Sequence, residues 1–400
     1  MMNGKFKRAA SRSAAVAIFV ASLLTGTALA DDQPFSNWFR YGSDINTAWK
    51  VVGDPTDPMQ VSITSKEGEP KRAKRVLVLY PRASSAYDIA ITKILHVFDT
   101  KEIDAEFKII NFETKDAQGK AAIQFAENNK FDLIFSMGSE STAWLYDNYR
   151  DGSLPVISVC SKDPVQLGQM KDYDAGGGSN FAFTSLNVPV EVQMNYIKDL
   201  KPGLKNIAVL VDSKNISAVQ TQAEPIAKAA RQSNMQVIMA AVQNPAKAKQ
   251  ELAQIVSDAV RTMRKNDPDL RSSIFLITGS TAVFREIRVI NQHADRVPVI
   301  SMIPEIVATG ADTAALGIGI SFESNAHLAA VYGAEVLSGK TRAGDLKVGI
   351  VSPPDIAISF LKAREIGMPV PFNLFETASF VYDIQGRAVR TTAHAIEAKN

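Results

Sequence analysis

The sequence predicts an α/β protein built from two doubly wound parallel-sheet lobes. Short apolar runs that are typical of strands alternate with segments whose apolar residues have helical spacing. The alternation occurs in two series, separated by a loop that contains three consecutive glycines at 176–178. Strands that are apolar throughout, with helices between them, are typical of parallel sheets covered on both faces. The chain of 400 residues also exceeds what one core usually accommodates.

The first series predicts strands and helices in strict alternation. Before it, the polar and proline-containing residues 31–73 show little periodicity and are interpreted as an extension that is draped over the first lobe or partly disordered. The strands are expected at 75–80, 107–111, 132–137 and 155–159. Helices are expected at 87–98, 117–128 and 140–146.

The second series repeats this organisation. Strands are predicted at 205–211, 236–241, 273–277 and 297–301, and helices at 217–233, 246–265 and 281–294. The remaining chain is expected to return and complete both sheets, so that several crossings form a hinge. The predicted organisation is a first lobe of 74–184 plus 321–350, a second lobe of 185–320 plus 351–383, and a C-terminal tail of 384–400.

Residues 1–30 have the pattern of a secretory signal peptide. Four basic residues lie between positions 5 and 12, an apolar stretch follows at 14–24, and Ala28-Leu29-Ala30 forms a cleavage site before Asp31. The alternative is an uncleaved anchor, although the apolar stretch is short for a membrane span. No cysteine is present at the cleavage site to carry a lipid. We therefore expect an exported protein that is free in the periplasm.

Composition excludes several classes of function. Removing 1–30 takes away four basic residues and leaves 40 basic against 42 acidic residues, so no basic surplus for nucleic acid remains. Cys160 is the only cysteine, so an internal disulfide is impossible. The four histidines are far apart and not in a metal-ligand spacing, and neither a metal nor a cofactor is predicted.

Enzyme motifs are missing from the sequence. It contains no G-x-S-x-G elbow, P-loop, H-E-x-x-H or dinucleotide fingerprint, so no catalytic residue is predicted and a hydrolase is disfavoured. In an open parallel sheet, ligands lie beyond the carboxyl ends of the strands. The residues that follow each predicted strand are therefore the candidates for binding.

Two loops of the first series carry suitable groups. Gly138 is followed by Ser139, Ser141 and Thr142, which place hydroxyl groups beside the free amides of a helix start and could seat a carboxylate. Simple helix capping is the alternative. Tyr80 is followed by Arg82, Ser84 and Ser85, and Arg82 could meet an anion or remain in solvent.

In the second series, the loops after the strands contain carboxylates and hydroxyl groups. Asp212 or Glu305 could face a ligand ammonium group, or could cap a helix or lie in water. Asn215, Ser280 and Thr281 lie in the same set of loops.

Residues 74–383 resemble the periplasmic substrate-binding proteins of ABC importers with the type I fold. The similar branch is the one whose described ligands include tryptophan and related aromatic amino acids. The segments that carry the resemblance keep their order along the chain: 131–138, 157–164, 178–180, 188–191, 200–202, 296–299, 334–340 and 362–369. Ala182-Phe183 and Ser359 depart from the usual pattern of that branch.

The resemblance implies a two-lobed clamp that closes on a small ligand and is read by an ABC permease in the inner membrane. The ligand would be a small organic molecule with a carboxylate or an aromatic group, such as an amino acid, and the protein is expected to be a monomer. A periplasmic sensor that presents its bound form to a membrane receptor is the alternative. Phe183 and Phe322 could stack on a flat ligand or pack in the core. The implied contacts are Tyr80, Ser84, Ser85, Ser139, Ser141, Thr142, Ser161 and Phe183 and, further along, Asp212, Asn215, Ser280, Thr281, Glu305 and Phe322.

Overall fold

The computed structural model describes residue 35, residues 37–66 and residues 73–391. The strands are β1 Trp49–Gly53, β2 Gln60–Ser65, β3 Lys74–Tyr80, β4 Ala105–Asn111, β5 Leu133–Met137, β6 Val156–Val159, β7 Phe181–Ala182, β8 Thr184–Ser185, β9 Asn206–Asp212, β10 Gln236–Val242, β11 Ser273–Ile277, β12 Val299–Ser301, β13 Leu316–Gly319, β14 Gly349–Ile350, β15 Asp355–Ser359, β16 Phe380–Tyr382 and β17 Ala388–Arg390.

The helices alternate with these strands. They are α1 Ser85–Thr100, α2 Asp116–Asn128, α3 Gly138–Tyr149, α4 Val190–Leu200, α5 Ile216–Ala218, α6 Glu224–Gln232, α7 Ala248–Met263, α8 Thr281–Phe284, α9 Ile287–His293, α10 Phe322–Leu337, α11 Phe360–Ile366 and α12 Phe372–Thr377. A π-helical turn, Val219–Ala223, joins α5 to α6.

Two sheets of similar topology form the two lobes. The first has the order β1-β2-β4-β3-β5-β6-β7, and β4 to β7 run parallel. The second has the order β10-β9-β11-β12-β13-β15-β16-β17, and β10 to β13 run parallel. In each sheet the first parallel strand lies between the second and the third. This is the doubly wound arrangement that the sequence predicts, and the predicted fold class is confirmed.

Each sheet is covered on both faces because its central strands are apolar on both sides. Along β3, Val76 and Val78 belong to one buried cluster, whereas Leu77 and Leu79 belong to another on the opposite face. This alternation follows the two-residue period of a strand. Helix α10 packs against α1 and so belongs to the first lobe, although its sequence follows the parallel strands of the second sheet.

The chain passes between the sheets at three places. It leaves the first lobe after β8, returns between β13 and α10, and leaves again after β14. The short strands β8 and β14 pair in parallel as a separate two-stranded sheet. Asn325 connects these segments: its Oδ1 accepts hydrogen bonds from the Cys160 N–H at 2.7 Å and from Thr184 Oγ1 at 3.1 Å. Its Nδ2 donates to the Ser185 carbonyl oxygen at 3.1 Å.

The predicted extension, expected to be draped over the first lobe or partly disordered, contributes β1 and β2 to the first sheet. β1 and β2 form an antiparallel pair, and β2 lies beside β4. The reason is visible along β2, where Val61 and Ile63 are fully buried at alternate positions. Residues 31–34, 36 and 67–72 lie outside the described part of the chain.

Several local predictions are also corrected. The segment expected to form one helix at 281–294 is divided into α8 and α9. The glycine loop at 176–178 does not separate the lobes, because β7 follows it and joins the first sheet. Within the predicted tail, β17 pairs with β16. The predicted signal peptide at 1–30 and residues 392–400 lie outside the described residues.

Candidate functional site

The two lobes enclose a cavity where the carboxyl ends of their parallel strands face each other. In a doubly wound sheet, ligands bind where the order of strands reverses. These points lie between β3 and β5 in one lobe and between β9 and β11 in the other. An inner cavity of about 50 Å³ lies here, beside an outer pocket of about 510 Å³. Arg82, Glu140, Asn215 and Thr281 line both spaces.

The inner cavity combines three aromatic rings with a small number of charges. Tyr87 and Phe322 approach from helices of the first lobe and Phe284 from α8 of the second. The charged residues in its wall are Arg82, Glu140 and Lys162. The remaining wall residues are Ser84, Ala86, Gly138, Ser139, Cys160, Leu186, Asn215, Ser217, Gly279 and Thr281.

Lys162 is the most unusual residue of this wall. Its side chain is buried, with the residue only 6% exposed, and no carboxylate pairs with it among the residues that the structure describes. The Nζ atom donates one long hydrogen bond, of 3.4 Å, to the carbonyl oxygen of Gly279 in the opposite lobe. Burial lowers the pKa of the Lys162 ammonium from 10.5 to about 8. Lys162 therefore places an incompletely compensated positive charge between the lobes.

Gly279 leaves room for the end of the Lys162 side chain at this close approach. A Cβ atom at this position would lie 2.5 Å from Lys162 Nζ, which is closer than side-chain atoms can approach. The Gly279 N–H also donates a 2.7 Å hydrogen bond to Gln222 Oε1. The glycine therefore lets the second lobe reach the lysine with its main chain.

The N-terminus of α3 forms another part of the wall. Gly138 begins this helix with φ +77°, and a Cβ atom there would collide with the Tyr87 hydroxyl group. Ser139 Oγ accepts a 2.9 Å hydrogen bond from the main-chain N–H of Lys162. The helix start and the lysine are thus fixed relative to each other, and the free amides of a helix start can bind an anion.

The other cation of the inner cavity is already paired. Arg82 Nη1 donates a hydrogen bond to Glu140 Oε1 at 2.5 Å. Asp212 lies in the outer pocket, where its Oδ1 accepts a 2.9 Å hydrogen bond from the Lys214 N–H. No group of three or more His, Cys, Asp or Glu side chains is arranged for a metal ion within the described residues.

The structure brings six of the fourteen predicted contacts to these spaces. Ser84, Ser139 and Phe322 line the inner cavity, Asp212 lines the outer pocket, and Asn215 and Thr281 line both. Ser84 also caps α1, and Asn215 caps α5, so that these two polar groups have structural partners as well. These six residues come from both lobes, as a clamp requires.

Five predicted hydroxyl contacts lie elsewhere. Ser141 and Thr142 are fully buried and bind Ser136 Oγ at 3.0 and 3.1 Å, and Ser280 Oγ accepts from the Asp212 N–H at 3.2 Å. Ser161 is 1% exposed behind Ser139. Ser85 is exposed on the outer surface of the first lobe, in a separate depression beside α10.

Three further predicted contacts are core or hinge residues. Tyr80 is fully buried, and Phe183 stacks on Phe181 with ring centroids 5.5 Å apart. Glu305 Oε1 accepts a 2.5 Å hydrogen bond from the Phe322 N–H, which places it at the crossing before α10. These side chains do not line the inner cavity, because Tyr80 and Phe183 pack within the first lobe and Glu305 is held at the crossing by α10.

The sequence-based candidates omit Lys162, Tyr87 and Phe284. Lys162 lies three residues after the end of β6. Because ligands bind beyond the carboxyl ends of parallel strands, this position alone marks Lys162 as a candidate for binding. Tyr87 and Phe284 have no such signal, since each lies within a helix and resembles an ordinary core aromatic in sequence. Cys160 is buried as expected, and burial raises the pKa of its thiol.

A family model for ABC transporter substrate binding proteins matches residues 90–381. The chain belongs to this family. As a substrate-binding protein, it belongs with the non-enzymatic binding components of transporters and takes a small-molecule ligand. Residues 37–66 and β3 lie outside the matched range. A search of curated proteins gives no match.

Solved structures show the same fold. A conserved domain protein from Vibrio cholerae is 18% identical, covers 78% of this chain and 100% of its own, and has a TM-score of 0.61. An ABC domain from Streptococcus pneumonia in complex with L-Trp is also 18% identical, with 77% and 100% covered and a TM-score of 0.60. A ligand-free, open substrate binding protein with adhesive properties from Clostridium difficile is 17% identical, with 80% and 100% covered and a TM-score of 0.58. The substrate-binding protein therefore has the type I periplasmic binding fold.

No helix among the described residues is long and apolar enough to cross a membrane.

Proposed function

We propose that this protein captures a small organic ligand, with a carboxylate or an aromatic group, between its lobes and delivers it to an ABC permease of the inner membrane. The observation that carries the proposal is the inner cavity, which lies at both points of strand reversal and is lined from both lobes. Membership of the family supports a permease as the partner.

Ligand binding would favour the closed arrangement of the lobes. Lys162 of one lobe and Gly279 of the other are 3.4 Å apart, measured from Nζ to the carbonyl oxygen. A ligand that contacts both lobes binds most tightly when the lobes are close together. Its binding energy therefore favours the closed arrangement of the lobes. The closed form is then the signal for a permease. The lobes would be 74–184 plus 321–350 and 185–320 plus 351–383.

The proposed binding residues are those that line the inner cavity. Tyr87, Phe284 and Phe322 supply rings on which an apolar or flat part of a ligand would pack, whereas Ser139 and Lys162 supply polar contacts. The larger outer pocket would admit the ligand and hold any polar group that extends from the inner cavity.

A binding screen tests the proposal. Purified protein would be screened by thermal shift and isothermal titration with carboxylic acids, amino acids and aromatic metabolites. We expect saturable binding of at least one class and a smaller radius of gyration in small-angle scattering on binding. Thr281→Ala, in the cavity wall, should weaken binding, whereas Ser85→Ala, on the outer surface, should not. Absence of binding across the panel would contradict the proposal.

Export and delivery need separate measurements. Intact mass of the protein from a periplasmic fraction should correspond to a chain that begins at Asp31. Deletion of the gene should abolish high-affinity uptake of the ligand identified in the screen. Unchanged uptake in the deletion strain would contradict a transport role.

A further inference from the structure

We propose that the ligand is an organic carboxylate without a neighbouring ammonium group, and that its carboxylate lies between Lys162 Nζ and the first turn of α3. This inference rests on the proposed function and narrows its ligand class. It follows from the balance of charge in the inner cavity.

Lys162 supplies the positive charge. A lysine that is 6% exposed is costly without a partner, because burial removes the hydration of its ammonium group. Its one hydrogen bond to the described part of the chain, of 3.4 Å, is to a neutral carbonyl oxygen, which compensates little of that cost. Two partly buried lysines, Lys93 and Lys108, have carboxylates at 2.9 and 3.0 Å, whereas the partly buried Lys201 donates to the Ser273 carbonyl oxygen at 3.3 Å. The missing partner of Lys162 is therefore supplied by the ligand.

The start of α3 supplies a second set of donors on the same wall. The first amides of a helix have no intrahelical acceptors and carry the positive end of the helix dipole. Gly138, Ser139 and Glu140 begin this 12-residue helix and line the inner cavity with Lys162. Ser139 Oγ holds the Lys162 main chain at 2.9 Å, so the lysine and the helix start form one unit.

No carboxylate in the inner cavity is free to receive a ligand ammonium group. Among the described residues, Glu140 is the acidic residue that lines the inner cavity, and its Oε1 lies 2.5 Å from Arg82 Nη1. Because Glu140 balances the charge of Arg82, the positive charge of Lys162 is left without a balancing negative charge in the inner cavity. Asp212 lies in the outer pocket and accepts from the Lys214 N–H, and Glu305 is outside both spaces. An α-amino acid would therefore bury its ammonium beside a positive charge, which is unfavourable.

The experiment compares acids, amides and α-amino acids that share a carbon skeleton. Suitable sets are 3-phenylpropionate with 3-phenylpropanamide and phenylalanine, indole-3-propionate with its amide and tryptophan, and propionate with propanamide and alanine. Calorimetry is complemented by mass spectrometry of any ligand that copurifies with the native protein. In the set that binds, we expect the acid to bind at least about 30-fold more tightly than its amide.

Variants assign the effect to the lysine. Lys162→Met should reduce affinity for the acid by at least about 30-fold and remove its preference over the amide. Lys340→Met, which removes an exposed positive charge outside the cleft, should change neither value. Since Lys162→Met removes a buried charge without an acidic partner, its unliganded Tm should not fall below that of the wild type. If the variant does not fold, the acid-to-amide ratio of the wild type decides the question.

The outcomes separate the two proposals. Preferred binding of an amino acid, an amide or a cation would overturn the carboxylate inference and leave the clamp intact. An acid that binds Lys162→Met as tightly as the wild type would likewise overturn the carboxylate inference and leave the clamp intact. If no member of any set binds and no ligand copurifies, the clamp itself fails and the inference fails with it.

Discussion

The Tyr80 hydroxyl group donates a 3.0 Å hydrogen bond to the main-chain carbonyl oxygen of Tyr87, and the two rings meet edge to face at 5.4 Å. Tyr87 lines the inner cavity, whereas Tyr80 is fully buried behind it. Tyr80 in turn contacts Trp38 and Phe39 of the N-terminal extension, at 5.7 and 6.0 Å between ring centroids. The extension therefore supports a wall of the candidate ligand site.

The Tyr80 hydroxyl is expected to contribute to stability. Tyr80→Phe removes one buried hydrogen bond and should lower the free energy of unfolding by about 1 kcal/mol, measured by urea denaturation. Tyr196→Phe is the matched control, because that partly buried tyrosine has no hydrogen bond from its hydroxyl among the described residues. Equal losses in the two variants would contradict the role given to the Tyr80 hydroxyl.

The extension is expected to be integral to the first lobe. Trp38 is 5% exposed and its Nε1 donates a 2.7 Å hydrogen bond to the Pro58 carbonyl oxygen. Trp38→Ala should destabilise the protein by roughly 3–5 kcal/mol, because it leaves a large cavity. Val52→Ala, at an exposed position of β1, should cost less than about 0.5 kcal/mol. A wild-type urea midpoint for Trp38→Ala would show that the aromatic cluster carries no stability.

The parallel sheets could be predicted from sequence because their strands are apolar on both faces. Val76 to Leu79 form an apolar run without a polar residue. Such a run, between segments whose apolar residues have helical spacing, is typical of a strand in a parallel sheet that is covered on both faces. β1 could not be predicted in this way, since it lies at a sheet edge and Lys50 and Val52 are exposed. Its position depends on pairing with β2, which is a tertiary interaction.

The site was predicted less completely, for a different physical reason. The rule for strand ends selects loops but does not tell which side chain turns towards the cavity and which turns into its own lobe. Ser139 and Ser141 are two positions apart in α3, yet the first lines the cavity and the second binds the Leu79 carbonyl oxygen in the core. The contribution of Tyr87 depends on the packing of α1, and no pattern in its sequence reveals it.

Gly279 is expected to control the position of Lys162. Gly279→Ala places a Cβ atom 2.5 Å from Lys162 Nζ, so the lysine must move or the lobes must separate. We expect at least about tenfold weaker binding of an acid found in the screen, measured by isothermal titration. In a Lys162→Ala background the same substitution should have little further effect, because the two residues act through one contact. Additive losses in the double variant would contradict this coupling.

Glu305 is expected to make stability depend on pH. Burial, together with the nearby Asp355 and Glu323 carboxylates, raises the pKa of Glu305 from 4.5 to about 8, although hydrogen bonds from main-chain N–H groups oppose the shift. Its Oε2 atom is buried and has no hydrogen-bond partner among the residues that the structure describes. A carboxyl whose pKa is raised by folding contributes its stability fully below its unfolded pKa and loses it as the pH rises to about 8.

Glu305→Gln should therefore gain stability relative to the wild type as the pH rises. The amide oxygen can still accept from the Phe322 N–H, while the charge that burial disfavours is absent. We expect nearly equal free energies of unfolding at about pH 4.5 and an advantage of the variant on the order of 4 kcal/mol at about pH 8. Glu224→Gln, at an exposed position, should show no such pH-dependent difference. A constant difference between Glu305→Gln and the wild type over this range, followed by chemical denaturation at each pH, would show that Glu305 is ionised in the folded protein throughout, and that the crossing before α10 tolerates its charge.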